Sequence, residues 1–194
     1  MIDILFASQN KNKTRELNEI LGENYNVISL SELNITDIID ETGSTLEENA
    51  LIKARYLYNR YKRPCIADDS GLEVEALNGK PGVYSARYAG DDNNPIANNI
   101  KLLDNLKGFS NRNAHFRTVI AYLCPQGEFL FEGIVYGTIT REIKGTNGFG
   151  YDPLFQPLGH NKTFAEMNSE EKNKISHRAI AINKFVTFIK QNNE

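Results

Sequence analysis

Runs suited to strands alternate with helical stripes along most of this 194-residue chain. Ile2-Asp3-Ile4-Leu5-Phe6-Ala7 is a short apolar run suited to a buried strand, and the polar loop Ser8-Gln9-Asn10-Lys11-Asn12-Lys13 follows it. A helix comes next, with Leu17, Ile20 and Leu21 at helical spacing, then a second strand from Asn26 to Leu30. Ser31 to Asp40 is irregular and acidic, and Glu41-Thr42-Gly43 turns the chain. Ser44 and Thr45 followed by Glu47 and Glu48 form a capping-box signature. It precedes a helix whose apolar stripe is Leu46, Ala50, Ala54, Leu57 and Tyr61. Arg63-Pro64 ends that helix.

The apolar run Cys65-Ile66-Ala67 stops at Asp68-Asp69-Ser70-Gly71, which predicts two carboxylates at a strand end. Leu72 to Leu77 then alternates, as a strand with Glu73 and Glu75 on a wet face. Asn78-Gly79 and Pro81-Gly82 signal turns, and Tyr84, Arg87 and Tyr88 follow as interface or site-lining groups. Pro95 in the first turn, Ile96, Ile100, Leu103 and Leu106 on one face, and Gly108 at the end define another helix. Phe116 to Leu123 and Glu128 to Ile139 read as a hairpin about Pro125-Gln126-Gly127. Ser169 to Lys172 is a polar helical stretch. Ser176-His177-Arg178 leads into a last helix with Ala179, Ile182, Val186 and Ile189 on one side. Strand-helix units joined to a hairpin predict an α/β fold with a mixed sheet.

Length asks for one domain and one core, burying about 70% of the unfolded chain's surface. Hydrophobic content of 40% and charged content of 24% are ordinary for a soluble protein, and no apolar run approaches membrane-spanning length. The N-terminal run lacks the regions of a signal peptide, so a cytoplasmic protein is expected. Cys65 and Cys124 lie within apolar runs and read as small core residues. A net charge of −3 argues against a general nucleic-acid binder and makes any anion site local.

Asp68 and Asp69 are open to two readings. They cap an ordinary turn, or they are anions that need a cation or a proton. Strand, polar loop and helix place backbone amides, a helix dipole and the charges of Lys11 and Lys13 at residues 8–13, which suits phosphate. Lys53, at the margin of its stripe, either lies in solvent or delivers its ammonium into a cleft. Gly145-Thr146-Asn147-Gly148-Phe149-Gly150-Tyr151-Asp152-Pro153 is too aromatic for a solvent loop. Phe149 and Tyr151 either anchor it in the core or present a ring to a planar ligand. His177 and Arg178 oppose the helix dipole in a first turn, a conflict that an anion or carbonyl would relieve. Lysines, Glu41, Asp68, Asp69 and an aromatic loop together suit a nucleoside triphosphate with a hard divalent metal. His115, His160 and His177 lack ligand spacing for zinc.

Several motifs in order resemble the inosine triphosphate pyrophosphatase family nearly end to end. They are residues 8–13, Glu41-Thr42-Gly43, Glu48-Asn49-Ala50 with Lys53-Ala54, Ala67 to Leu72, Pro81 to Tyr88, Gly148 to Pro153, and Lys172 with Ser176-His177-Arg178. Ser8 stands where many relatives have threonine. The resemblance implies a single α/β domain with an elongated central mixed sheet flanked by helices and a nucleotide cleft between two lobes. It implies a homodimer that hydrolyses purine nucleoside triphosphates outside the standard set, such as ITP, dITP and XTP, to monophosphate and pyrophosphate. By that resemblance Asp69 is catalytic base and metal ligand, with Asp68 and Glu41 helping to hold Mg²⁺ or Mn²⁺. Ser8, Gln9, Asn10, Lys11, Asn12, Lys13 and Lys53 grip phosphates, and Ser70 positions the nucleotide. Phe149 stacks on the purine within Phe149-Gly150-Tyr151-Asp152, and Asp152, Lys172, His177 and Arg178 surround base and sugar. Donors from His177 or Arg178 at a 6-oxo group would reject adenine, because adenine leaves buried donors unpaired. Two alternatives stand beside this: a Maf-like pyrophosphatase of pyrimidine or modified nucleotides, and a catalytically silent nucleotide-binding protein. The acid pair weighs against the second.

Overall fold

A computed structural model describes residues 2–90 and 93–192. Strand β1 (Ile2–Phe6) leads into helix α1 (Lys11–Leu21), which starts where the Asn10 side chain accepts hydrogen bonds from the amides of Asn12 and Lys13. Strand β2 (Tyr25–Ser29) precedes helix α2 (Leu46–Tyr61). The capping box at α2 is complete, with the Thr45 side chain on the Glu48 amide and the Glu48 carboxylate reaching back to Thr45. Strand β3 (Cys65–Val74), helix α3 (Pro95–Asn105), strands β4 (Asn113–Cys124) and β5 (Gly127–Ile139), and the short β6 (Phe155–Pro157) follow. Helices α4 (Ser169–Asn173) and α5 (His177–Asn192) complete the order.

The six strands form one sheet in the order β2-β1-β3-β4-β5-β6. It is mixed: β1 runs parallel to β2 and to β3, whereas β5 and β6 are antiparallel. The break expected at Asp68 is absent. Strand β3 continues through Asp68, Asp69, Ser70 and Gly71 to Val74, so the carboxylates lie in mid-strand. An acid pair ends an apolar run in sequence, but it does not end a strand when cations placed elsewhere satisfy it.

The chain divides into two compact units. The first comprises Met1–Asp69, Thr118–Gly133 and Arg178–Glu194, and the second comprises Ser70–Arg117 and Ile134–His177. In the first, Ile4, Phe6, Leu17, Leu21, Val27 and Ile66 pack with Ile120, Ile182, Phe185 and Ile189. In the second, Leu72, Val74, Leu102 and Leu106 pack with Phe116, Tyr151, Phe155 and Phe164. Cys65 and Cys124 are free, buried core residues as expected, and burial pushes the Cys65 thiol up to about 12.

Helix α3 is turned differently from its apolar pattern. Ile96 and Ile100 are 68% and 51% exposed, whereas Asn98 and Asn99 are each only 4% exposed. The isoleucine stripe is therefore not the inward face. Hydrogen bonds made by the asparagines compensate for the lost apolar burial. Among the described residues, no helix is long and apolar enough to cross a membrane.

Candidate active site

In the first unit, three cations and four carboxylates lie within one buried network. Asp68, in β3, receives Lys13 of α1 at 3.1 Å and the Arg178 guanidinium of α5 at 3.3 and 3.4 Å. Arg178 also pairs with Glu16, one helical turn beyond Lys13. Lys53, from α2, reaches Glu41 at 2.6 Å and Asp69 at 3.4 Å. Lys53 is therefore buried rather than solvated, its four-carbon stem carrying the charge inward. One turn earlier on α2, Asn49 accepts the Gly43 amide at 2.8 Å and fixes the turn that follows Glu41.

The two aspartates have opposite electrostatics. Burial alone would raise Asp68, but Lys13 and Arg178, with Lys53, hold its carboxyl well below the usual range. Burial pushes Asp69 up. Lys53 and Lys13 oppose that rise without cancelling it, and the charges of Glu41 and Asp68 add to it. Arg178 and Lys53 are both held more firmly protonated by the carboxylates around them, against the pull of burial.

Asp69 Oδ2 is buried and has no hydrogen-bond partner. Lys13, Lys53 and Arg178 carry three positive charges against four negative ones on Glu16, Glu41, Asp68 and Asp69, so the set is short by one. A cation at the unpartnered oxygen meets both deficits. Among the described residues no three His, Cys, Asp or Glu side chains converge as a ready-made metal cage. Mg²⁺ does not require one, since it is ordinarily bound by one or two carboxylates, water and phosphate oxygens. Asp69 with Glu41 fits that pattern. Asp68 fits it poorly, because Lys13 reaches both its oxygens and Arg178 takes Oδ2.

The loop at residues 8–13 is more internally bonded than its sequence suggests. The buried Ser8 hydroxyl accepts the Asn10 amide at 3.1 Å, and Asn10 itself occupies the amides of Asn12 and Lys13. Gln9 turns its amide to the carbonyls of Ile35 and Asp37, which makes it a tie between loops. Lys11 is exposed.

The second unit holds the aromatic group. Asp152 Oδ2 accepts the Phe149 amide at 2.8 Å and the Lys172 ammonium at 2.7 Å. Lys172 in turn sits 5.0 Å from the Phe149 ring centroid and 5.5 Å from that of Phe164. Gly148 is required here, with φ +73° and no room for a Cβ beside the Asp152 carboxylate. Of the two rings that sequence left undecided, Tyr151 is the core anchor, its hydroxyl donating to the Ser85 carbonyl at 2.7 Å, and Phe149 stays partly accessible. His177 is buried and stacked on Phe116, with centroids 4.6 Å apart and planes 9° apart. Ser70 follows Asp69 in β3.

The Nε, Nη1 and Nη2 of Arg178, the residue that the resemblance puts beside base and sugar, all face carboxylates here, which also relieves its conflict with the helix dipole. Glu73 and Glu75 do not extend the acid set. Glu73 pairs with His115, and Glu75 accepts from Asn111 and Asn113. Sequence reasoning missed Glu16 and Asn99. Each is a polar residue beside an apolar helical position, a signal that surface residues share.

A family model described as Ham1 matches residues 4–188. A dITP/XTP pyrophosphatase of Christiangramia forsetii is 50% identical over 186 residues, covering 96% of this chain and 98% of that one. Another so named, from Porphyromonas gingivalis, is 48% identical and covers 97% of this chain and 98% of its own. The structure of the Staphylococcus aureus Ham1 protein superposes with a TM-score of 0.89 at 43% identity, covering 98% of this chain and 99% of that one. With a match along nearly its whole length in sequence and in fold, this chain belongs to the Ham1 family.

Proposed function

We propose that this chain is a nucleoside triphosphate pyrophosphohydrolase acting on ITP, dITP and XTP, releasing the nucleoside monophosphate and pyrophosphate. The relatives named dITP/XTP pyrophosphatase support the substrate class, and they favour purines over the Maf-like alternative. The observation that carries the chemistry is Asp69: a buried carboxylate, raised by burial, with one oxygen unpartnered and the other held by Lys53.

In this reading the Asp69 carboxylate takes a proton from water as the water oxygen bonds to the α-phosphorus. The bond from that phosphorus to its bridging oxygen breaks, and pyrophosphate leaves. Burial makes Asp69 a stronger base than a solvated aspartate, and Lys53 keeps it oriented. Mg²⁺ or Mn²⁺, held by Asp69 and Glu41, would supply charge neutralisation on the phosphates. Lys53, Lys13, Lys11, Ser8, Asn10 and Asn12 take phosphate oxygens, whereas Gln9 and Asp68 hold the loop and the cations in place. Phe149 offers the ring face away from Lys172 to the purine. With Arg178 committed to carboxylates, rejection of adenine rests on His177, Lys172 and Asp152. The protein acts as a cytoplasmic homodimer in this reading, which sedimentation of the purified chain would test.

The direct test is a Mg²⁺-supported panel of ITP, XTP, dITP, ATP and CTP, scored for pyrophosphate against orthophosphate and repeated with a chelator. Pyrophosphate from the first three, lost on chelation, is expected. Orthophosphate release or a pyrimidine preference would overturn the assignment.

A further inference from the structure

Helix α3 buries two asparagines where its sequence offers isoleucines, and the two are used differently. Asn98 is fully engaged with the segment before it, accepting the Ala89 amide at 2.7 Å and donating to the carbonyls of Ala86 and Ser85 at 2.9 and 3.4 Å. Asn99 donates to the Gly150 carbonyl at 3.0 Å, while its own Oδ1 is buried without a hydrogen-bond partner. A leucine at 99 would extend the apolar packing of Leu102 and Leu106 and leave no oxygen unsatisfied. What asparagine adds at this position is the hold on Gly150.

That hold adds to the turn around Gly150 that the Asp152 amide closes by donating to the Phe149 carbonyl at 3.2 Å. Asp152 fixes the Phe149 amide, and Tyr151 is anchored through Ser85. Gly150, between them, adopts φ +63° with nothing within 4 Å of where a Cβ would lie, so packing does not set its backbone. Resting on the reading of Phe149 as the purine platform, we propose that Asn99 is a positioning residue that sets the orientation of the Phe149 ring by holding the Gly150 carbonyl. It selects for base stacking without touching the nucleotide.

Asn99→Asp keeps the side chain's shape but replaces the donor with an anion facing a carbonyl, and Asn99→Ser removes the reach. The full chain and each variant are titrated calorimetrically with inosine 5′-monophosphate and, separately, with inorganic tripolyphosphate. The monophosphate should bind about tenfold more weakly to both variants, as for one lost hydrogen bond. Tripolyphosphate binding should stay within about twofold, and the KM for ITP should rise with kcat little changed. Equal weakening of both probes, unchanged monophosphate binding, or failure of both variants to fold would overturn the positioning role. Phe149→Ala separates the two ideas. If it leaves monophosphate binding intact, the platform reading fails; if it weakens binding and Asn99→Asp does not, only the inference fails.

Discussion

Arg178→Met removes a guanidinium that is 3% exposed and leaves the carboxylates of Glu16 and Asp68 in the protein interior. Methionine keeps much of the volume, so the loss is mainly electrostatic. Removing one partner of a buried ion pair costs about 3–5 kcal/mol. Against a total stability of roughly 5–15 kcal/mol, that is a large share. For a chain of this size each kcal/mol moves the midpoint by about 2–4 °C, so a drop of roughly 6–20 °C is expected.

The pH dependence of the deficit identifies its cause. In the native protein Asp68 is held low, so the folded state binds fewer protons than the unfolded one around the unfolded aspartate value. The resulting stability is present above about pH 4 and is lost as pH falls. In Arg178→Met, Glu16 loses its guanidinium while still buried, and its folded value should rise above its unfolded one. The folded variant then binds the extra proton, and the deficit should shrink between pH 7 and pH 5. Urea unfolding of both proteins at those two pH values reads the effect. Hydrolysis of inosine and adenosine triphosphates should fall together, since the guanidinium is committed to carboxylates. A deficit under about 1 kcal/mol, or one independent of pH, would refute the charge-network account. A selective loss of inosine-over-adenosine preference would return Arg178 to the base.

Asp69→Asn should abolish ITP hydrolysis, with a kcat loss of at least about 10²-fold, while the thermal midpoint stays near that of the native protein. Near-normal turnover would remove Asp69 as the base. Because burial raises Asp69 and the base must be ionised, kcat/KM should climb with pH across a range above the solvated aspartate value of about 3.9. A pH–rate profile flat from pH 4 upward would contradict this. Gly148→Ala should displace the Asp152 carboxylate, raising KM for ITP and loosening Lys172, as read by steady-state kinetics. Unchanged KM would mean that the Asp152 latch does not bear on nucleotide binding.

Local chemistry was legible in the sequence and long-range compensation was not. The capping box of α2, the strand-loop-helix start and the β4–β5 turn follow from neighbours within four residues, which is where those signals act. Strand β3 was misread at Asp68 because the cations that allow it to continue, Lys13 and Arg178, stand 55 and 110 residues away. Lys53 looks like any lysine at a stripe margin until Glu41 and Asp69 are seen beside it. Helix α3 was misread because periodicity rewards isoleucine and has no term for an asparagine whose partners lie on a loop 51 residues later. Arg178 shows the limit of a family motif. The motif located the residue but not what its guanidinium faces.

Asp68 and Asp69 are consecutive residues of one extended strand, and such neighbours point to opposite faces. Adjacent acids elsewhere can meet and share a proton, so that each governs the other's ionisation. Here the strand turns them to different cations, although the charge of Asp68 still raises Asp69. Asp68 is served by α1 and α5, and Asp69 by α2. In the proposed reaction Asp68 stays an anion while Asp69 gains and loses a proton, so the bonds that hold Asp68 need not be broken and remade.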